Sequence, residues 1–249
     1  MTSTLPAAVL WDMDGTLVDT EPDWICCERE LVAAHGGTWT TEDSLALVGL
    51  DLLTAATYIR ERGGVPMTAE QIVDWMVDWM VERLRRTVTW QPGAPELLRM
   101  LDDAGVPCAL VTMSYRRLAE SVVSRLPTGS FGAVVTGDEV ERGKPHPEPY
   151  LTAAALLGVE SSECVVLEDT STGAAAGLAA GCRVFVVPHV VDVDPALDVT
   201  VLPSLAGVRP GDLAAPAPGS DGSPGASTLD GFGGPKFRQM TGAAPRRRR

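Results

Sequence analysis

The sequence lacks any apolar run close to the roughly 18 residues that a membrane-spanning helix needs. It also lacks the basic start and the long apolar core of a secretory signal, since its first residues read MTSTLPAAVLWD. These absences exclude the membrane-spanning class, and we expect a protein located in the cytoplasm.

Cysteines are few and lack the spacing of a metal or redox motif. The five cysteines are an odd number, and none of them forms a CxxC pair. We expect reduced thiols in the core of the protein. Cys26 and Cys27 are adjacent, so a redox role stays open for that pair, although two core thiols are the simpler interpretation.

Positive charge is scarce in most of the chain. The formal net charge is −13, yet residues 209–249 carry +4, which leaves −17 on residues 1–208. An acidic body repels nucleic acids and anionic membranes, so we expect neither as a partner. It does not exclude a small phosphate ester, provided that a metal ion and a few cations lie at the site.

Large apolar side chains become rare from residue 209 onward. Residues 209–249 contain six prolines and eight glycines and end in four arginines. This composition predicts a disordered tail. The arginines would suit an anionic partner, but a solvated tail without a specific role is the simpler interpretation.

Strand and helix patterns alternate after residue 90. Short apolar runs such as CALV, AVV, CVVL and RVFV are each followed or preceded by a helical stretch. This alternation predicts an α/β fold with a doubly wound, Rossmann-like parallel sheet, to which the early run AAVL also belongs. Residues 18–89 instead show helical periodicity, including a capping box at Thr68 and Gln71 and a stripe of Met and Trp that we expect to pack in the core.

Polar side chains follow three of the predicted strands at the point where each ends. Asp12 and Asp14 follow the first strand, Thr112 follows CALV, and Glu168 and Asp169 follow CVVL. Ligands bind such sheets at the carboxyl ends of the strands. Carboxylate oxygens suit Mg²⁺, and a hydroxyl and a lysine beside the metal suit a phosphoryl group. Lys144, which directly precedes a proline in GKPHPEPY, is the candidate lysine.

The four segments resemble the ordered motifs of the haloacid dehalogenase-like (HAD) phosphohydrolases, in the branch of β-phosphoglucomutase and sugar-phosphate phosphatases. They are DMDGT, the strand end at Thr112, GKPHPEPY and VLEDTSTGAAAG. The resemblance spans residues 7–190 and implies a core domain of residues 1–17 and 90–208. It also implies that residues 18–89 form an inserted helical cap domain, which closes over the site and selects the substrate.

The resemblance implies a phosphoric monoester hydrolase with an aspartyl-phosphate intermediate on Asp12. Asp14 would protonate the leaving oxygen and then activate water. Thr112 and Lys144 would hold the transferring oxygens. Mg²⁺ would lie on Asp12, on the main-chain carbonyl of Asp14 and on a further pair of carboxylates, Glu168 and Asp169.

Several further residues are candidates for binding phosphate or substrate. Gly15 allows a sharp turn and a close approach to the ligand. Ser114 and Arg116 follow Thr112 on the same predicted loop, and Trp24 offers an aromatic wall for a sugar face. Glu21, with its negative charge at the same entrance, would disfavour leaving groups that carry a second anion.

Other activities fit the residues less well. DMDGT differs from a calcium loop, because the glycine comes too early and a strand precedes it. A dehalogenase of this fold would not need Asp14. Val48 and Leu52 stand where β-phosphoglucomutases carry cations for a second phosphate, so we expect a phosphatase that hydrolyses a small sugar or polyol monophosphate. A mutase of that type remains the alternative.

A non-catalytic protein that binds a partner through its basic tail is a third possibility. The presence of every expected catalytic group favours the enzyme. The Trp-rich cap helix would serve a dimer interface or a core equally, so we expect a monomer or a homodimer.

Overall fold

The computed structural model describes residues 5–214, and residues 1–4 and 215–249 lie outside the described part. Six parallel strands form one sheet in the order β3-β2-β1-β4-β5-β6. This sheet confirms the predicted α/β, Rossmann-like fold class. The strands are β1 (Ala8–Trp11), β2 (Cys108–Val111), β3 (Ala133–Val135), β4 (Cys164–Glu168), β5 (Arg183–Val186) and β6 (Thr200–Val201).

Four helices cover the two faces of this sheet. Alternate residues of β1 point to opposite sides, so that Val9 and Trp11 join one apolar cluster and Ala8 and Leu10 join the other. Two helices pack on the first side and two on the second. They are α5 (Ala94–Asp103) and α6 (Arg116–Val123), then α7 (Glu148–Leu157) and α8 (Ser171–Ala179). Burial on both faces explains why the strands are continuous apolar runs.

Four further helices lie between β1 and β2, as the helical periodicity predicted. A side-chain cap begins three of them, and at Thr68 the predicted capping box is present. Met76 and Met80 are buried, while Trp75 and Trp79 pack at the edge of the same cluster, so the Met and Trp stripe is core. The helices are α1 (Glu21–Ala34), α2 (Thr41–Leu45), α3 (Leu52–Gly63) and α4 (Ala69–Arg86).

Two adjacent segments connect the α1–α4 helices to the sheet. The amide of Asp19 donates to Thr89, the amide of Gln91 donates to Leu17, and Val18 forms an antiparallel bridge with Trp90. The segment that leaves the sheet after β1 and the segment that returns to it before α5 therefore run side by side.

Two details differ from the sequence prediction. The two-residue edge strand β6 was not predicted, since its sequence offers no apolar run. The predicted tail begins at residue 209, but Pro210–Leu213 form a 3-10 helix and Leu213 is fully buried. Arg183 binds the carbonyl oxygens of Leu213 and Ala214, both at 2.6 Å, so ordered chain continues to residue 214. The rest of the predicted tail lies outside the described residues.

All five cysteines lie in the described part and are free thiols, as predicted. Four of them are buried, and Cys26 is exposed. Among the described residues, no helix combines the length and apolarity needed to cross a bilayer.

Candidate active site

The carboxyl ends of three neighbouring strands meet at one cavity of about 110 Å³. Because β2, β1 and β4 are adjacent and in register, Thr112, Asp12 and Asp169 come together directly after their last residues. Lys144 reaches the same place from the loop before α7. The structure thus brings together the four motifs that the sequence keeps far apart.

Lys144 connects two carboxylates at the base of the cavity. Its Nζ lies 2.6 Å from Oδ1 of Asp12 and 2.7 Å from Oε1 of Glu168, and it also donates to the carbonyl of Val111 at 3.0 Å. Burial would lower the pKa of Lys144, but the charges of Asp12 and Glu168 outweigh it, and the pKa is raised. The lysine is therefore held as a cation against both acids.

Tyr150 supports this arrangement from α7. Its hydroxyl donates to Oε1 of Glu168 at 2.7 Å, and its ring lies 5.0 Å below Nζ of Lys144. Glu168 also accepts from the main-chain amides of Asp169 and Thr170. A carboxylate with this many donors has one fixed orientation.

The carboxylates of Asp12, Glu168 and Asp169 form a buried cluster whose candidate ligand oxygens all lie within 4.8 Å of one another. Burial, opposed by Lys144, raises the pKa of Asp12 to about 8. Burial and the charges of Asp12 and Glu168 raise the pKa of Asp169 well above its ordinary value. Oδ2 of Asp169 is buried and has no hydrogen-bond partner among the described residues. Unmatched negative charge with an orphaned oxygen fits a hard divalent cation.

Glycines make room for two of these carboxylates. Gly15 has φ +87°, and a Cβ there would overlap the carboxylate of Asp169. A Cβ on Gly173 would overlap the carboxylate of Glu168. Gly177, later in the same helix, lets α8 pack closely on the sheet against Val166.

Asp14 also lines the cavity, but it is not a member of the cluster of Asp12, Glu168 and Asp169. Four neutral donors hold its carboxylate. Oδ1 accepts from Thr20 at 2.7 Å and from Trp24 at 3.2 Å, and Oδ2 accepts from Thr112 and Ser114. The predicted contact of Asp14 with a metal concerned its main-chain carbonyl and stays a prediction.

Helix α1 supplies one wall of the cavity. Glu21, Trp24 and Glu28 are three and four residues apart, so they share one face of the helix, and all three line the cavity. Burial, together with the charges of Asp14 and Glu28, raises the pKa of Glu21 to about 7. The predicted positions of Glu21 and Trp24 at the entrance agree with this wall.

Arg116 does not reach the cavity, contrary to the expectation that it binds phosphate. Its guanidinium forms an ion pair with Glu139 and donates to the carbonyl of Val134. The residue is the first of α6, and that helix turns its side chain toward the β3 edge of the sheet. Ser114, two residues earlier, does line the cavity.

Sequence reasoning missed four residues around the site: Thr20, Glu28, Ser44 and Tyr150. Only Tyr150 belongs to a motif, the end of GKPHPEPY. Thr20 directly precedes α1. Its hydroxyl donates to Asp14 because the chain turns before this helix, and the sequence pattern does not predict that turn. Glu28 and Ser44 come from different helices, so no local spacing in the sequence relates them.

The protein is thus of the class that has a parallel α/β sheet, four helices between its first two strands and an acidic cluster at the strand ends. The family described as "Haloacid dehalogenase-like hydrolase" matches residues 9–187. The chain belongs to this family, which confirms the resemblance seen in the four motifs.

Several characterised relatives are phosphatases. Hexitol phosphatase A of Escherichia coli is 35% identical over 182 residues, which cover 72% of this chain and 81% of that protein. N-acetylmuramic acid 6-phosphate phosphatase of Pseudomonas aeruginosa is 33% identical over 190 residues, covering 73% and 81%. The bifunctional riboflavin kinase/FMN phosphatase of Arabidopsis thaliana is 34% identical, but the match spans 74% of this chain and only 49% of that longer protein. These relatives confirm the prediction of an enzyme of the phosphoric monoester hydrolase class.

Solved structures share the fold over most of the chain. CbbY of Rhodobacter sphaeroides, solved in complex with phosphate, superposes with a TM-score of 0.72 at 25% identity and covers 82% of this chain and 96% of its own. A β-phosphoglucomutase of Clostridium difficile has a TM-score of 0.69 at 21% identity, covering 81% and 92%.

Proposed function

We propose that the protein is a Mg²⁺-dependent phosphatase that hydrolyses a small sugar or polyol monophosphate through an aspartyl-phosphate on Asp12. The observation that carries this proposal is the position of Asp12. Lys144 holds its Oδ1 at 2.6 Å, while Oδ2 receives no hydrogen bond from residues 5–214 and is free to attack phosphorus.

In the first step an oxygen of Asp12 forms a bond to phosphorus as the bond from phosphorus to the leaving oxygen breaks. Asp14 gives its proton to that leaving oxygen, and the alcohol departs. In the second step Asp14 takes a proton from water, the water oxygen attacks phosphorus, and the bond to Asp12 breaks. Inorganic phosphate and the original Asp12 carboxylate result.

The neighbours of Asp14 support this exchange of roles. Thr20, Thr112 and Ser114 present hydroxyl groups, which both donate and accept hydrogen bonds. The protonated carboxyl can therefore be accommodated by rotation of a hydroxyl, without movement of the main chain. Lys144 and the hydroxyl of Thr112 would also neutralise charge on the transferring oxygens.

Asp12, Glu168 and Asp169 would hold Mg²⁺, together with the main-chain carbonyl of Asp14. The raised pKa values of Asp12 and Asp169 and the orphaned Oδ2 of Asp169 fit such a cation. When bound, the ion would offset the negative charge of the phosphoryl group and of the carboxylates around it.

Residues 18–89 would act as a cap domain on a core of residues 1–17 and 90–208. The α1–α4 helices contribute most of the cavity wall that faces away from the strands. Trp24 contacts Asp14 directly, so the cap would complete the site and exclude water from it.

The cavity walls favour a leaving group without a second phosphate. Val48 and Leu52 line the cavity at the two positions where a mutase would need cations. Lys144 is the one basic residue among the described lining residues, and two carboxylates already engage it. This observation supports a phosphatase over a β-phosphoglucomutase-type mutase. A cytoplasmic location and a monomeric or dimeric state stay predictions.

Phosphate release from a panel of phosphorylated metabolites, with Mg²⁺ and with a chelator, tests the proposal. Asp12→Asn should abolish release, and chelation should abolish it in the unaltered protein. Asp103→Asn is the matched control, because Asp103 is exposed and pairs only with Arg99 on α5. Release that survives in Asp12→Asn would refute the proposal. Removal of residues 215–249 should leave turnover unchanged, whereas a partner-binding protein would lose its partner.

A further inference from the structure

Glu28 carries a buried carboxylate at the end of the cavity formed by the helices. The residue is 4% exposed, yet it lines the cavity. It lies one helical turn beyond Trp24, whose indole touches Asp14, and is therefore about 6 Å further along the axis of α1.

The side chain that hydrogen-bonds to this carboxylate in the described part of the chain is neutral. The indole of Trp39 donates to Oε2 of Glu28 at 3.0 Å, and the hydroxyl of Ser44 lies 3.0 Å from the same indole. No ion pair within residues 5–214 includes Glu28, and its Oε1 receives no hydrogen bond there. Burial raises the pKa of Glu28, and its neutral neighbours Ser44 and Trp39 only partly oppose this rise.

The walls around Glu28 are otherwise mostly apolar. Leu47, Leu52, Ala55 and Met76 line the same cavity. A carboxylate without a cation in such surroundings is unfavourable unless it has further donors. In ligand sites, a few polar groups within apolar walls fix the orientation of the ligand.

A purely structural role would engage Glu28 only through Trp39. Trp39 is buried and packs edge-on against Tyr58, so its indole needs an acceptor. One carboxylate oxygen meets that need, and Ser44 is a second acceptor for the same indole. The free Oε1 at the cavity is left unexplained by this role.

We propose that Glu28 determines specificity by accepting hydrogen bonds from hydroxyl groups of the leaving alcohol. The site then favours monophosphates of polyhydroxylated alcohols over those of apolar alcohols. Glu28 lies one helical turn beyond Trp24, whose indole binds Asp14, and this separation suits an alcohol of several carbons, with its phosphate at the strand ends and its hydroxyls at Glu28. This inference rests on the proposed phosphatase function.

The test compares two substrates, a hexitol 6-phosphate and n-hexyl phosphate, in the full-length protein with Mg²⁺. Glu28→Gln keeps the shape and an acceptor for Trp39. It should lower kcat/KM for the hexitol phosphate by about 10- to 100-fold, the loss expected when a hydrogen bond to a charged group is removed. The value for hexyl phosphate should change by less than about 3-fold.

Two control variants separate recognition from structure. Glu30→Gln alters an exposed residue of the same helix that accepts from Trp79, as Glu28 accepts from Trp39, and it should change neither substrate. Trp39→Phe removes the indole donor and retains Glu28, so it should preserve the preference for the hexitol phosphate. A Trp39→Phe variant that reproduces the loss seen in Glu28→Gln would show that Glu28 acts only through Trp39.

The outcomes distinguish this inference from the proposed function. Equal loss on both substrates, or no loss on either, would overturn the role of Glu28 while the phosphatase stands. A greater loss for glucosamine 6-phosphate than for glucose 6-phosphate would indicate recognition of an ammonium group and would also overturn it. Absence of turnover by the unaltered protein on both substrates, and on the metabolite panel, would instead refute the phosphatase. If Glu28→Gln does not fold, a preference of the unaltered protein for the hexitol phosphate below about 10-fold would contradict the inference.

Discussion

The carboxylate of Asp169 occupies the space that a Cβ atom on Gly15 would need. The turn after β1 therefore presses its main chain against the end of β4, and Thr16 donates to the same carboxylate at 3.5 Å. A glycine is needed at position 15 for two reasons. It leaves room for the carboxylate of Asp169, and it adopts the positive φ of the turn. The acidic cluster of Asp12, Glu168 and Asp169 therefore depends on the close approach of the ends of β1 and β4, and not on either sequence motif alone.

Replacing Gly15 with alanine should abolish phosphatase activity, because the methyl group displaces Asp169 from Asp12 and Glu168. Gly36→Ala is the matched control, since Gly36 also has positive φ but nothing lies within 4 Å of its added Cβ. The control should lose only about 1–2 kcal/mol of unfolding free energy in urea and keep its activity. Equal activity in the two variants would contradict the role given to the contact.

Lys144→Met should reduce kcat by at least about a thousand-fold, because the buried Asp12 and Glu168 lose their shared cation. Stability should fall by about 3–5 kcal/mol above about pH 8, where Asp12 is ionised, as expected when one partner of a buried ion pair is removed. Urea unfolding at several pH values measures this. The loss should shrink as pH falls below about 8 and Asp12 takes up its proton, and a loss that is constant with pH would contradict the ion-pair account.

Glu21→Gln should stabilise the protein at high pH. The pKa of Glu21 is about 7 when folded and 4.5 ordinarily, so the folded state holds the proton more tightly. Unfolding free energy of the unaltered protein should therefore fall as pH rises from 4.5 to 7, by about 1–3 kcal/mol after allowance for partial exposure. The variant should lack this decline. Urea unfolding in chelator checks the difference, and parallel pH curves for both proteins would refute it.

Trp24→Phe should lower kcat by about 3- to 30-fold with little change in stability. The ring stays in the cavity wall, but Asp14 loses the 3.2 Å hydrogen bond that connects it to α1. Trp75→Phe, on the partly buried edge of α4, is the control and should keep its kcat. Steady-state kinetics on one substrate measures both, and an unchanged kcat in Trp24→Phe would show that this hydrogen bond does not position Asp14.

The sequence predicts the sheet and the strand-end residues well because both follow local rules. Apolar runs such as CALV and CVVL mark buried parallel strands, and the next polar residue of each necessarily lies at the carboxyl edge. The same rule fails for Arg116. Its place after Thr112 and Ser114 predicts proximity to the cavity, but the start of α6 turns its side chain toward Glu139.

Contacts between distant helices are the part that the sequence does not predict. Glu28 reads as an ordinary charged residue of a surface helix, and only the packing of α1 against α2 buries it beside Trp39 and Ser44. The structure of residues 210–214 is also not predictable from the local sequence. Arg183 on β5, far away in the chain, binds the carbonyl oxygens of Leu213 and Ala214.

The most direct test of the central claim is mass spectrometry of the enzyme quenched during turnover of a preferred substrate with Mg²⁺. The account predicts one phosphoryl group on the peptide that contains Asp12, absent from Asp12→Asn and accumulated in Asp14→Asn, where water activation is lost. Turnover without any phosphoryl group on Asp12, and persisting in Asp12→Asn, would contradict it.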